Sequence, residues 1–225
     1  LHKRKSSGST LMTEGTIWKH ILLFSIPLIL GNMLQQLYNT VDSIVVGNSL
    51  GSEALAAVGS SSSLISLLIS FSMGAAAGAG VIVSQFIGAQ NKKGIHESVH
   101  TALAIALILG VVLTVLGITL SPQILRWMGT PDEVMPQSVI YLRLYFAGLL
   151  FSVLYNMASG ILNAVGNSKR SLLYLAIASF TNIVLDLLFI PVLKMGIAGA
   201  AIATDISQVL SAVLCMLYLM RVDES

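Results

Sequence analysis

The sequence predicts an all-α membrane protein, a bundle of six transmembrane helices, and three observations carry that prediction. Of its 225 residues, 55% are hydrophobic and only 10% charged, with a mean hydropathy of +0.86. A soluble domain carries roughly 25% charged residues, so the surface itself faces lipid. Six apolar runs, at 17–47, 53–84, 95–120, 135–164, 170–191 and 196–220, each reach the ~20 residues that a crossing helix needs. The alternating ten-residue segments of a membrane barrel are missing from the sequence.

Each run has its own punctuation. The first follows a polar, basic stretch and ends at Gly47 and Gly51; Pro27 inside it removes one backbone bond and predicts a kink. The second ends before Gly88–Gly94 and contains Gly74-Ala-Ala-Ala-Gly78 with Gly80, a small-xxx-small pattern that predicts close helix approach. Ser121-Pro122 predicts the end of the third. The fourth lies between Gly129–Pro136 and Gly166–Ser168, and Pro191–Gly196 separates the fifth from the sixth. Residues 1–15 are expected to form a cytoplasmic tail, 16–220 the helical lobe, and 221–225 the start of a cytoplasmic linker.

Orientation follows from the basic residues. Nine of the twelve (Lys3, Arg4, Lys5, Lys19, Lys92, Lys93, Lys169, Arg170 and Arg221) fall on one side. Arg126 and Lys194 fall on the other, and Arg143 lies inside the fourth run near its outer end, where snorkelling to the interface is the simplest role. This distribution predicts a multi-pass protein of the cell membrane with both termini cytoplasmic. The bases mark topology, so the net charge of +2 does not point to nucleic acid. The single cysteine, Cys215, excludes an internal disulfide.

Two carboxylates, Asp42 and Asp186, stand deep inside apolar runs. A charge at mid-membrane costs at least ~2.5–3.5 kcal/mol on insertion scales, which makes such a residue a functional candidate. Asp42 ends a polar stripe of Asn32, Gln35, Gln36 and Asn39, whose amides must face protein or a wet cavity. Asn182 lies four residues before Asp186, so amide and acid share a helical face. Thr204, Ser207, Gln208 and Ser211 form a second stripe in the sixth run, and Asp205 lies about 100° round that helix from Thr204. Two acids sharing a poorly solvated site cannot both ionise cheaply, so the pattern points to a proton or ion site.

His96-Glu97-Ser-Val-His100 matches the H-E-x-x-H zinc signature. It follows Lys92-Lys93-Gly94 at the membrane surface, and a solvated first helical turn is the reading favoured over an intramembrane zinc metalloprotease. No transition metal and no cofactor is expected, and no P-loop sequence is present for ATP hydrolysis.

Taken in order along the chain, several stretches resemble the multidrug and toxic compound extrusion (MATE) transporters. They are Asn39-Thr-Val-Asp42-Ser-Ile-Val-Val-Gly47-Asn-Ser-Leu-Gly51 with Ala54-Leu-Ala-Ala-Val-Gly59, and Ser84-Gln-Phe-Ile-Gly88-Ala. Gly160-Ile-Leu-Asn-Ala-Val-Gly166-Asn-Ser-Lys169, Asn182-Ile-Val-Leu-Asp186 and Gly199-Ala-Ala-Ile-Ala-Thr204 complete the series. The resemblance implies a non-enzymatic antiporter that exports small organic, often cationic, compounds against an inward flow of H+ or Na+. It implies a cation site at Asp42, Asn182, Asp186 and Thr204 with Tyr141 nearby, and the amides of the polar stripe, Gln35, Gln36 and Asn39, are expected with Tyr141 to line the cavity or bind substrate. It further implies one lobe of a two-lobe (6+6) transporter whose C-terminal lobe is missing from this chain, so that membrane lipid, substrate and that second lobe are the expected partners. A lipid or lipid-linked oligosaccharide flippase of related fold is the alternative, although its groove should carry several bases for diphosphate.

Overall fold

The computed structural model describes residues 16–223. The expected tail at 1–15 and the last two residues of the expected linker lie outside the described residues. The bundle consists of α1 (Ile17–Leu50), α2 (Ser52–Gly88), α3 (Lys92–Trp127), α4 (Met135–Ala164), α5 (Ser168–Leu187) and α6 (Ile197–Asp223). All six are long and apolar enough to cross a membrane. α1 runs unbroken through Pro27, and only Gly51 separates it from α2. Gly51 holds a φ of +90°, a left-handed conformation that strains any residue with a side chain. A π-helical turn, Leu188–Val192, carries Pro191 at the end of α5, and α6 continues to Asp223, past the end at 220 that hydropathy alone predicts.

α4 is the axis of the bundle. Leu142, Phe146, Leu149, Val153, Met157, Ala158, Ile161 and Leu162 are all buried on it, and it packs against α2, α3 and α6, while α1 pairs chiefly with α5. Without a hydrophobic drive between helices in lipid, small residues at the seams permit the close packing that holds them. Gly80 of α2 lies against the Gly160 carbonyl and Ala164 of α4, and Gly160 lies against Ala76. The expected pair Gly74 and Gly78 has no neighbour within 4 Å at the Cβ position. The packing face is therefore the one carrying Ala76 and Gly80, about 200° round from a face centred on Gly74 and Gly78.

Ser121-Pro122 does not end α3, which continues to Trp127. Pro122 has no N–H to offer the Ile118 carbonyl four residues earlier. Arg143 of α4 supplies the missing donor, its Nε bonding Ile118 O at 3.2 Å, and Ser121 Oγ donates to Gly117 O. Such partners are what allow proline inside a membrane helix. Arg143 is thus committed to the α3 backbone, beyond any snorkelling of its exposed end. Arg143→Ala is expected to cost about 1 kcal/mol of stability, the net worth of one hydrogen bond, measured as a lower unfolding temperature in detergent. In a Pro122→Ala background the same change should cost less, because the restored N–H satisfies Ile118; equal losses in both backgrounds would refute the pairing.

Candidate functional site

The four residues of the expected cation site come from three helices and converge. Asp42 of α1 and Asp186 of α5 face each other with their carboxyl groups within hydrogen-bonding reach. Asp186 is 0%, Asn182 1% and Asp42 9% exposed, so lipid is kept from all three. Asn182 Nδ2 donates to Thr204 Oγ1 at 3.3 Å, and Thr204 Oγ1 donates to the Ala200 carbonyl at 3.1 Å. The remaining acceptors are the informative ones. Asp42 Oδ1, both carboxyl oxygens of Asp186 and Asn182 Oδ1 are buried and accept no hydrogen bond. Buried polar atoms in native structures are paired in the large majority of cases, and each exception calls for a reason. Four in one place, all hard oxygen donors, fit a proton or a hard cation.

Asp42 and Thr204 also open onto a cavity of about 210 Å³. Its walls are Gln35, Tyr38, Asn39 and Ser43 from α1, Ser62, Ile65 and Ser66 from α2, Tyr141, Tyr145, Ser152, Tyr155 and Asn156 from α4, and Gln208 from α6, with Val58, Ile69 and Leu175. Asn182 and Asp186 lie behind this wall. Among the described residues, Asp42 supplies the only charge in the lining, and no base lines it. Gln35, Asn39 and Tyr141 are among the lining residues. Gln36, about 100° round the helix from Gln35, is exposed and is not among them. On α6 the expected stripe divides. Thr204 and Gln208 line the cavity, whereas Ser207 and Ser211 are buried and donate to the Thr204 and Gln208 carbonyls.

Sequence reasoning overlooked Tyr38, Tyr145, Tyr155, Asn156 and the α2 serines. Their spacing was the available signal: Tyr141, Tyr145, Ser152 and Asn156 repeat at helical intervals along one side of α4, as Ser62 and Ser66 do on α2. His96 and His100 are exposed at the start of α3, with ring centroids 4.0 Å apart. His100 Nδ1 bonds the His96 carbonyl at 2.9 Å and Glu97 pairs with Lys93 at 3.7 Å, an arrangement of solvated first-turn contacts.

The result is a six-helix membrane lobe in which one of two facing buried acids, Asp42, opens onto a polar cavity. This chain belongs to the MATE family: the MatE family model matches residues 27–188. It is 36% identical over 209 residues to "Probable multidrug resistance protein YpnP" and 37% identical over 217 residues to "Probable multidrug resistance protein YoeA", both of Bacillus subtilis (strain 168). Each alignment covers 93% of this chain, but 47% and 46% of those relatives, so the chain spans about half their length. Among solved structures, MATE in the bent conformation superposes with a TM-score of 0.86 at 35% identity, covering 91% of this chain and 46% of that one. An outward-facing MATE family transporter of the MOP superfamily gives 0.84 at 34% identity, covering 89% and 44%. The six-helix bundle is accordingly one lobe of the MATE architecture.

The cavity predicts a labelling pattern. Cys215 is the sole cysteine and is 0% exposed, so the parent protein should react little with a water-soluble maleimide. Gln35→Cys and Ser62→Cys should react readily, and Val153→Cys in the α4 core should not, as read by intact-mass shift. Equal inertness at positions 35 and 153 would deny water access to the cavity.

Proposed function

We propose that the lobe couples cation movement to export of small organic cations, in a secondary active antiporter. The observation that carries this reading is the set of four unpaired buried oxygens on Asp42, Asn182 and Asp186. Two facing carboxylates without a base between them repel, and a proton or Na+ bound there removes that repulsion. Binding then favours one packing of α1 against α5, and release favours another, which is the differential affinity that a coupled cycle requires. Pro27 gives α1 a point at which to change shape. Solved MATE structures in bent and straight conformations match this chain at TM-scores of 0.86 and 0.84, which supports two packings of the lobe.

The cargo class follows from the cavity chemistry. Tyrosine faces attract cations, Asp42 supplies negative charge, and amides and hydroxyls supply orientation. Relatives named as multidrug resistance and export proteins agree with a loosely specified organic cargo. A lipid-linked diphosphate finds no base among the lining residues, and Arg143 is bonded to the α3 backbone, so the flippase alternative loses its recognition element. We assign the protein to the cell membrane, with Lys92, Lys93, Lys169 and Arg170 on the cytoplasmic side, and infer that the lobe works opposite a second one, since the matched chains are about twice as long.

The decisive experiment is export in the whole protein carrying Asp42→Asn or Asp186→Asn, with folding checked independently. Each should slow cation-driven export by about tenfold or more, the effect of removing ~1.4 kcal/mol of cation binding. Parental rates with unchanged ion dependence in both variants would refute the coupling role. Topology has its own check: thiol reagents added outside should label a cysteine at position 130 and spare those at 92 and 169.

A further inference from the structure

A third intramembrane acid lies outside the facing pair. Asp205 follows Thr204 on α6, and the turn of about 100° between neighbouring positions carries it away from the cavity lining and against α4. There its carboxyl lies on the bare Cα of Gly148, which is buried. Any Cβ at residue 148 would overlap that carboxyl, so the notch exists only because the residue is glycine.

The groups facing Asp205 are few. Tyr141 and Tyr145 approach it from α4, and Tyr141 also faces Asp42 of α1 and Asp186 of α5. Arg143 on α4 is held at Ile118 of α3. Among the described residues, no lysine, arginine or histidine forms an ion pair with Asp205, and no hydrogen bond reaches it.

We propose that Asp205 in its Gly148 notch is a second proton-binding site of the lobe, distinct from the Asp42–Asp186 pair and selective for H+ over metal cations. A charge within the membrane span is costly, and among the described residues no base offsets it here. A proton taken up by the carboxylate gives a neutral acid and removes the cost; the same proton returns to water when the side chain ionises. A hard metal cation is a poorer occupant, because such ions gather about six oxygens, whereas among the described residues the notch offers one carboxyl group approached by two tyrosines, Tyr141 and Tyr145. The facing pair differs on this point, since amide and hydroxyl oxygens stand beside its carboxylates. Occupancy of Asp205 does not depend on the transport reading. Its consequence does: in a coupled transporter it adds a proton-sensitive contact to the α4–α6 seam.

Dicyclohexylcarbodiimide tests the occupancy directly, because it is apolar and forms a stable acylurea only with a protonated carboxyl group. The whole protein in its membrane is treated at neutral pH, digested and mapped by mass spectrometry. An adduct is expected on Asp205 that fades as pH is raised and that added Na+ does not suppress. Asp205→Asn should abolish that adduct and leave labelling of α5 unchanged. Gly148→Ala, which displaces the carboxyl from the notch, should alter its labelling rate several-fold without changing the rate at Asp186. An Asp205 that stays unlabelled from acid to alkaline pH, or that Na+ protects, would overturn the proposal. Because no export is measured, either result stands apart from the outcome for Asp42→Asn.

Discussion

Everything in this lobe depends on the requirement that polar groups inside a bilayer find partners within the protein. The helices meet it repeatedly. Ser61, Ser72 and Ser138 each return their hydroxyl to the carbonyl four residues back, and Arg143 reaches across to the carbonyl that Pro122 leaves open. Against that background the unpaired oxygens are informative through their distribution. Thr114, Thr130, Asn163 and Ser179 each contribute one atom, whereas the interacting Asp42, Asn182 and Asp186 contribute four.

The same requirement explains why α4 holds the centre. Its Tyr141, Tyr145, Tyr155 and Asn156 line the cavity, while its aliphatic side packs against α2, α3 and α6. The glycine contacts at Gly80 and Gly160 draw α2 close enough to leave no room for lipid between the two backbones. Gly110 and Gly117 of α3 accept Leu150 and Phe146 in the same way. α1 stands apart from this tight group and is tied mainly to α5, so the facing acids lie where the more loosely held pair of helices meets.

Much of this was legible in the residues, and the illegible parts have identifiable causes. Asp42 and Asp186 stand out because a carboxylate in an apolar run has few inexpensive explanations, and Asn182 joins them through i,i+4 spacing. The tyrosines of the cavity carry no such mark, because an aromatic ring suits a core, a lipid face or a wet wall equally well. The proline in α3 misleads because its compensation comes from Arg143, 25 residues after the Ile118 carbonyl it bonds. Gly74 and Gly78 mislead in another way: sequence reports smallness but not direction, and the neighbouring Ala76 and Gly80 are the ones that meet α4. Gln36 parts from Gln35 for a similar reason: the two amides look alike in the sequence, and only the rotation of the helix decides which of them lines this cavity.

The single residue between α1 and α2 sets a gearing. α1 is 34 residues long, about 50 Å at 1.5 Å per residue, and its far end around Ile17, Trp18 and Ile21 is exposed. If Gly51 is the fulcrum, each degree of tilt carries Trp18 through about 0.9 Å, yet carries Asp42, only nine residues from the pivot, through about a quarter of that. Placing the acid near the short end of the lever allows a large sweep at one membrane face with sub-ångström adjustment of the carboxyl contact. It also makes the reverse conversion steep: a change of a few tenths of an ångström between Asp42 and Asp186 is geared up several-fold at the distant end.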